Sequence, residues 1–291
     1  MASTAVALIR ALRPKQWLKN VLVAAAPLAA GNILRADVWP LIIVAFLVFC
    51  LSSSGVYLLN DILDVNEDRL HPTKRFRPIA SRALPIPVAV TVCVALLLCA
   101  PLVPLALGSP GLSVVIVVYE IIQIAYCYWL KHLVVIDLVL VSSGFLIRAV
   151  AGAVVVSIPL SQWFLLVMSF GALFMAAGKR YSEKLKIDQN SGSTRRNLEH
   201  YSLSYLRFVW ALAAGVALVS YSLWAFELGT RSQFPWAAIS IIPFGTALLR
   251  YAFSIDSGRA GAPEDTVLGD RQLAILGLIW LGAFALVVIF S

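Results

Sequence analysis

Nine apolar runs, most of them close to or above the roughly 20 residues that cross a bilayer as a helix, divide this chain of 291 residues. They cover approximately 20–34, 38–60, 85–107, 111–130, 133–156, 160–178, 205–229, 234–252 and 272–290. Only helices and closed barrels satisfy their backbone groups in lipid. Runs of this length predict an all-α polytopic membrane protein with nine transmembrane helices. Charged residues are 13% of the chain, about half the share usual in soluble domains. The first run is the shortest, and Pro27 and Gly31 make its outer end irregular. The fourth and fifth are parted only by Lys131 and His132, which predicts a tight helical hairpin. Residues 1–291 read as one transmembrane catalytic domain. Small-residue stretches such as Ala211 to Gly215 suit helix packing within one chain or between copies of a homo-oligomer.

The basic residues orient these spans. With the N-terminus inside, 20 of the 23 Lys and Arg fall in cytoplasmic segments, only Arg35 and Arg231 fall outside, and Arg148 lies within a span. That asymmetry is the positive-inside pattern and fits an odd number of crossings. It also accounts for much of the net charge of +8 without nucleic acid as a partner. Eleven of the 15 acids are cytoplasmic too, so the polar chemistry is expected at the cytoplasmic face of the plasma membrane. Cys50, Cys93, Cys99 and Cys127 lack metal-ligand spacing and read as small core residues. No cleaved signal peptide is expected, because no short apolar core with a small-residue cleavage site follows the N-terminal bases.

The second run ends in Asn60, Asp61, Asp64, Glu67 and Asp68, and a loop with Arg69, Lys74, Arg75, Arg77 and Arg82 follows. If the helix continues, Asn60 and Asp64 stack at i and i+4, while Asp61, Asp64 and Asp68 fall at i, i+3 and i+7. Hard oxygen ligands on nearly one face suit Mg²⁺ bound together with a substrate diphosphate. The basic loop can then close over the phosphate charge. His71 reads as a plain polar loop residue rather than a general base.

A second polar segment, Gly178-Lys179-Arg180-Tyr181-Ser182-Glu183-Lys184, ends the sixth run. On a helix Lys179 and Glu183 share a face, and this cluster and the first can converge on one cavity. The segment also reads as a solvated positive-inside loop. At the N-terminus, Arg13-Pro14-Lys15-Gln16-Trp17-Leu18-Lys19-Asn20 combines inside markers and an interfacial tryptophan with a phosphate-binding role for Lys15, and Lys131 carries the same double reading. Glu120, Asp137 and Arg148 are intramembrane charges and functional candidates by default. Asp137 and Arg148 stand eleven apart, too far for a direct pair. No phosphate loop, zinc-protease motif or Ser-His-Asp pattern appears.

The Asn60, Asp64 and Asp68 pattern after the second run, Lys131 after the fourth and the Arg-Pro-x-x-Trp-x-Lys-Asn start resemble the UbiA-type intramembrane prenyltransferase superfamily over the whole chain. The resemblance implies nine helices around a cavity open to the cytoplasm, and Mg²⁺ bridging Asp-rich motifs to a diphosphate. Ordinary members carry a second Asp-rich motif after the sixth span, where this chain has Gly178 to Lys184. With His71 to Pro78 and Pro263 to Arg271, that departure resembles the actinobacterial decaprenyl-phosphate phosphoribosyltransferase branch. The branch implies 5-phosphoribosyl 1-diphosphate as donor, a polyprenyl phosphate as acceptor, and a lipid product used in cell-wall arabinan synthesis. Its chemistry brings three phosphate clusters to one site, and Lys179, Arg180 and Lys184 supply cations for them.

On this reading Asn60 and Asp64 hold Mg²⁺, with Asp61 and Asp68 as direct or water-mediated ligands. Lys74, Arg77 and Lys131 neutralise the leaving pyrophosphate. Lys15, Lys179, Arg180, Tyr181 and Glu183 belong to the substrate-binding set, and Tyr57 touches ribose. The alternatives are a prenyltransferase joining a prenyl diphosphate to an aromatic acceptor, and a transporter of phosphorylated lipid or metabolite.

Overall fold

A computed structural model describes residues 4–190, 198, 200–229, 235–261 and 263–290. Arg195, Arg196, Glu199 and Arg231, which entered the charge count, lie outside these residues, as do the side chains of Asp188, Pro263 and Glu264. Among the described residues the chain is all-helical, with no strand. Twelve α-helices can be named: α1 (Thr4–Ala11), α2 (Ala25–Ala29), α3 (Val38–Leu63), α4 (Val65–Leu70), α5 (Ile86–Ala106), α6 (Pro110–Tyr128), α7 (Ile136–Val156), α8 (Gln162–Asn190), α9 (Leu203–Gly229), α10 (Trp236–Asp256), α11 (Pro263–Gly269) and α12 (Arg271–Phe290).

Seven of them, α3 and α5 to α10, are long and apolar enough to cross a bilayer, and α12 adds a shorter apolar stretch over Arg271–Val287. The predicted run at 20–34 is not one α-helix. It is the end of a 3₁₀ segment (Pro14–Ala24), then α2, then a 3₁₀ turn (Asn32–Leu34). Two features explain the difference: Pro27 cannot donate a backbone bond, and Gly31 takes φ 73, a left-handed conformation that ends the helix.

The chain packs as two compact units. One comprises residues 1–133 and 147–159, the other 134–146 and 160–291, so α7 gives its first half to the second unit and the rest to the first. In the first unit α3 is the central helix. Its most apolar stretch is 61% buried, against 17% for α5, whose apolar surface is left for lipid. Phe49, Val48, Ile42, Leu112 and Ile116 form its main core. The 3₁₀ segment Pro14–Ala24 lies against α3. Trp17 Nε1 donates to Ser54 Oγ at 3.0 Å, and Ser54 donates to the Leu12 carbonyl at 3.0 Å. Trp17 is therefore tied to α3 as well as fit to anchor an interface. The same segment passes so close to α7 that a Cβ on Gly152 would run into the Val23 carbonyl.

In the second unit α8 packs along α9, α9 along α10, and α10 against α8 and α12. Its core joins Phe174, Tyr181, Leu206, Tyr251 and Ile255. Gly178, at the head of the basic segment, is a packing residue, because a Cβ there would overlap Ile255.

Candidate active site

α3 has 26 residues, about 39 Å at 1.5 Å per residue, so it outruns a hydrocarbon core of about 30 Å and its last turn is free for polar chemistry. The helix does not run on through the acids: Asp64 leaves it at φ −88°, ψ 6°, and α4 restarts at Val65. The expected stacking of Asn60 on Asp64 survives the break, with Asn60 Nδ2 donating to Asp64 Oδ2 at 3.0 Å. Lys131, from the 3₁₀ turn after α6, donates to Asp64 Oδ1 at 2.5 Å.

Asp61 and Asp68 face a different set of bases. Arg77 Nη1 donates to Asp61 Oδ1 at 3.1 Å and to Asp68 Oδ2 at 2.7 Å. Lys74 Nζ stands 3.8 Å from Asp68 Oδ1. Arg13 Nη2 donates to Asp61 Oδ1 at 2.6 Å, and its guanidinium lies 5.0 Å from the centre of the Tyr57 ring. Both carboxylates are buried, their side chains 2% exposed, whereas Arg77 and Lys74 keep 24%. The acids thus form two neighbouring centres: Asn60, Asp64 and Lys131 in one, and Arg13, Asp61, Asp68, Lys74 and Arg77 in the other. Three carboxylates meet four bases, a surplus of positive charge that suits anions. His71 Nδ1 accepts the backbone N–H of Thr73 at 3.2 Å and so shapes the turn that carries Lys74.

Lys15 is exposed and sits two residues beyond Arg13. Arg13 itself was not among the expected site residues. Its only sequence signal was its place in the Arg-Pro start, and its backbone at φ 55° is a left-handed conformation uncommon for a side-chain-bearing residue.

The second polar segment lies in the second unit. Lys179 and Glu183 pair at 3.9 Å, as their spacing requires, and Arg180 reaches Glu183 Oε2 at 3.6 Å and Asp137 Oδ2 at 3.3 Å. Tyr181 is a core residue whose hydroxyl is taken by Arg207 (2.6 Å) and Asp256 (3.2 Å). Asp137, in the first turn of α7, and Arg148, near its middle, find separate partners. Arg148 Nε donates to Asn20 Oδ1 at 2.7 Å and Nη2 to the Tyr119 hydroxyl at 3.1 Å, with its guanidinium 5.4 Å and 5.0 Å from the centres of the Phe49 and Tyr119 rings. Asp137 receives the Tyr201 hydroxyl at 2.5 Å. Burial first, and then that bond, push the Tyr201 phenol well above its ordinary range, so it stays a proton donor.

The chain matches the UbiA prenyltransferase family over residues 20–276. The chain belongs to this family. Within it, the protein is 50% identical to a decaprenyl-phosphate phosphoribosyltransferase of Mycolicibacterium smegmatis, over 98% of this chain and 93% of that one. It is 49% identical to the protein of the same name from Mycobacterium tuberculosis H37Rv, over 100% and 97%. Among solved structures, a UbiA homologue from Archaeoglobus fulgidus bound to GPP and Mg²⁺ superposes with a TM-score of 0.71 at 14% identity, covering 97% of this chain and 99% of the other. That likeness establishes the UbiA fold.

Among the described residues no three His, Cys, Asp or Glu side chains gather as a ready metal nest. Mg²⁺ needs none: it is commonly held by one or two carboxylates together with substrate phosphates. Among the described residues, Asp61 Oδ2 is buried with no hydrogen-bond donor. Asn60 turns its amide nitrogen to Asp64, which leaves its oxygen as a further hard donor. The donor chemistry fits the ion.

Proposed function

We propose that this protein transfers a 5-phosphoribosyl group from 5-phosphoribosyl 1-diphosphate to a polyprenyl phosphate, decaprenyl phosphate in the first instance, and releases pyrophosphate. The observation that carries this reading is identity near one half, over almost the whole chain, to two mycobacterial proteins named for that activity. The surplus of bases at the acid centre supports it, and so does the Lys179, Arg180 and Lys184 segment of the second unit, where ordinary members of the superfamily place acids. A reaction between three phosphate-bearing groups calls for cations of this kind.

In the mechanism the bond from the anomeric carbon to the diphosphate oxygen breaks, and its electron pair leaves with pyrophosphate. An oxygen of the lipid phosphate, already anionic, forms the new bond from the opposite face with inversion. Lys74, Arg77 and Lys131 neutralise the departing charge as it develops. Asp61 and Asp68 both accept from Nη1 of Arg77, so its guanidinium is aimed before the substrate arrives. Mg²⁺, when bound, would be held by Asn60 and Asp64, with Asp61 and Asp68 as direct or water-mediated ligands, and supplies Lewis-acid stabilisation of the leaving group. Tyr57 borders the ribose, Lys15, Lys179 and Arg180 take the remaining phosphates, and Glu183 keeps Lys179 and Arg180 in register. Tyr181 supports these residues from the core. No general base is required, and His71 is left its turn-shaping role.

In the cell the protein is a multi-pass component of the plasma membrane, with nine crossings, the N-terminus inside and the acid centre at the cytoplasmic face, in keeping with the distribution of Lys and Arg. Its product serves cell-wall arabinan synthesis. The test uses purified protein with Mg²⁺, polyprenyl phosphate and donor labelled in the ribose. Label should pass into the lipid phase and should fail to do so with chelator or with Asp64→Ala. Retention of all label in the aqueous phase with the unmodified protein would refute the reading.

A further inference from the structure

In the second unit a chain of hydrogen bonds links four residues from three segments that are distant in sequence. The backbone N–H of Val135 donates to the Tyr201 hydroxyl oxygen at 2.6 Å, and that hydroxyl donates to Asp137 Oδ1. Asp137 Oδ2 faces Arg180 Nη2. Asp137 is 1% exposed and Tyr201 2%, so both carboxylate oxygens are satisfied inside the protein rather than by water.

Two details separate this arrangement from ordinary core filling. Val135 has φ 72°, a left-handed conformation that a β-branched residue seldom adopts, and such strain persists only where surrounding bonds hold it. Here the bond to Tyr201 does so. Tyr201 is in turn fixed by stacking on Tyr205, with ring centres 6.0 Å apart and planes 22° from parallel, and by packing in the core beside Leu198. The whole device converges on one guanidinium whose second nitrogen faces Glu183. A planar guanidinium whose orientation is fixed in this way loses little further freedom when an anion binds it.

We propose that Tyr201 is a positioning residue for the reaction: by fixing Asp137 it sets the guanidinium of Arg180 to receive an oxygen of a substrate phosphate. This rests on the function proposed above, in which Arg180 binds phosphate. Tyr201→Phe keeps the ring, the stacking and the core packing, and removes only the hydroxyl. Loss of one hydrogen bond to a charged group predicts that KM for one of the two phosphate substrates rises roughly ten-fold, while kcat changes by less than about two-fold.

The experiment measures kcat, both KM values and the thermal midpoint of the full-length protein in detergent for Tyr201→Phe, Arg180→Lys and the double variant. Because Tyr201 acts through Arg180, the double variant should be no worse than Arg180→Lys alone. A lowered midpoint with both KM values unchanged, or losses that add in the double variant, would overturn the proposal and leave Tyr201 a structural residue. If Tyr201→Phe does not fold, Asp137→Asn carries the test. It keeps an acceptor for the tyrosine, drops the charge facing Arg180, and should raise the same KM. Absence of transfer by the unmodified protein would remove the proposed function and this inference together. Transfer with an unchanged KM in the variants removes the inference alone.

Discussion

Arg13 and Asp61, 48 residues apart, meet with Nη2 2.6 Å from Oδ1, so the N-terminal segment closes onto the last turn of α3 at the acid centre. The arginine does this from a left-handed backbone, and Asp61 accepts a second bond on the same oxygen from Arg77. Arg13→Ala should therefore weaken but not abolish folding, because Arg77 still faces the buried carboxylate. The expected cost is about 1–3 kcal/mol, read as a lower thermal midpoint, together with a clear loss of transfer. Unchanged stability and activity would show that the pairing is incidental.

Lys131 and Asp64 form the other half of the centre. Lys131→Met removes the cation bound to the proposed metal-binding carboxylate and leaves Asp64 its bond from Asn60. Initial-rate assays should show a fall in kcat on the order of 10²-fold, comparable to loss of one electrostatic stabiliser of a leaving group. Full activity would remove Lys131 from the mechanism.

Gly152 and Gly171 form a matched pair. A methyl group on Gly152 collides with the Val23 carbonyl, whereas one on Gly171 meets nothing within 4 Å. Gly152→Ala should destabilise by about 1–3 kcal/mol through forced displacement of the 3₁₀ segment. Gly171→Ala, inside α8, should be neutral or should stabilise by about 0.5–1 kcal/mol. Thermal unfolding in one detergent, read side by side, checks both signs.

Asp270 gives a pH prediction. The slight burial at the start of α12 acts to raise its pKa. The hydrogen bond from Arg250 Nε at 2.9 Å, with the N–H groups of Leu273 and Gln272, outweighs it and holds the carboxyl below the usual range. A depressed carboxylate stabilises the fold above its unfolded pKa, near 4, and loses that contribution as pH falls through the lower folded value. The difference in thermal midpoint between the wild type and Asp270→Asn should be constant above about pH 5 and shrink below it. A difference that does not vary between pH 6 and pH 3 would contradict this.

Much of the architecture was legible because hydropathy acts residue by residue. Seven of the nine apolar runs are helices long enough to cross a bilayer, and the 272–290 run is α12, apolar over a shorter stretch. The run at 20–34 was misjudged in form, since apolarity says nothing about helix type, and Pro27 with Gly31 governs it locally. Asn60 on Asp64 was readable from an i, i+4 spacing. The division of the acids between Lys131 and Arg77 was not, because it depends on where a loop 67 residues away returns. Asp137 and Arg148 could be recognised as buried charges, while their partners Arg180, Tyr201 and Asn20 lie far off in sequence. Tyr201 carried no signal at all, being one aromatic beside a charged loop.

The most direct test of the account is the identity of the product formed when the purified protein is offered both donors at once. The mixture would contain Mg²⁺, polyprenyl phosphate, 5-phosphoribosyl 1-diphosphate, a prenyl diphosphate and an aromatic acceptor, with products identified by mass spectrometry and the anomeric configuration by NMR. The account predicts a phosphoribosylated polyprenyl phosphate with inverted configuration at the anomeric carbon. A prenylated aromatic product with no phosphoribosyl lipid would contradict it.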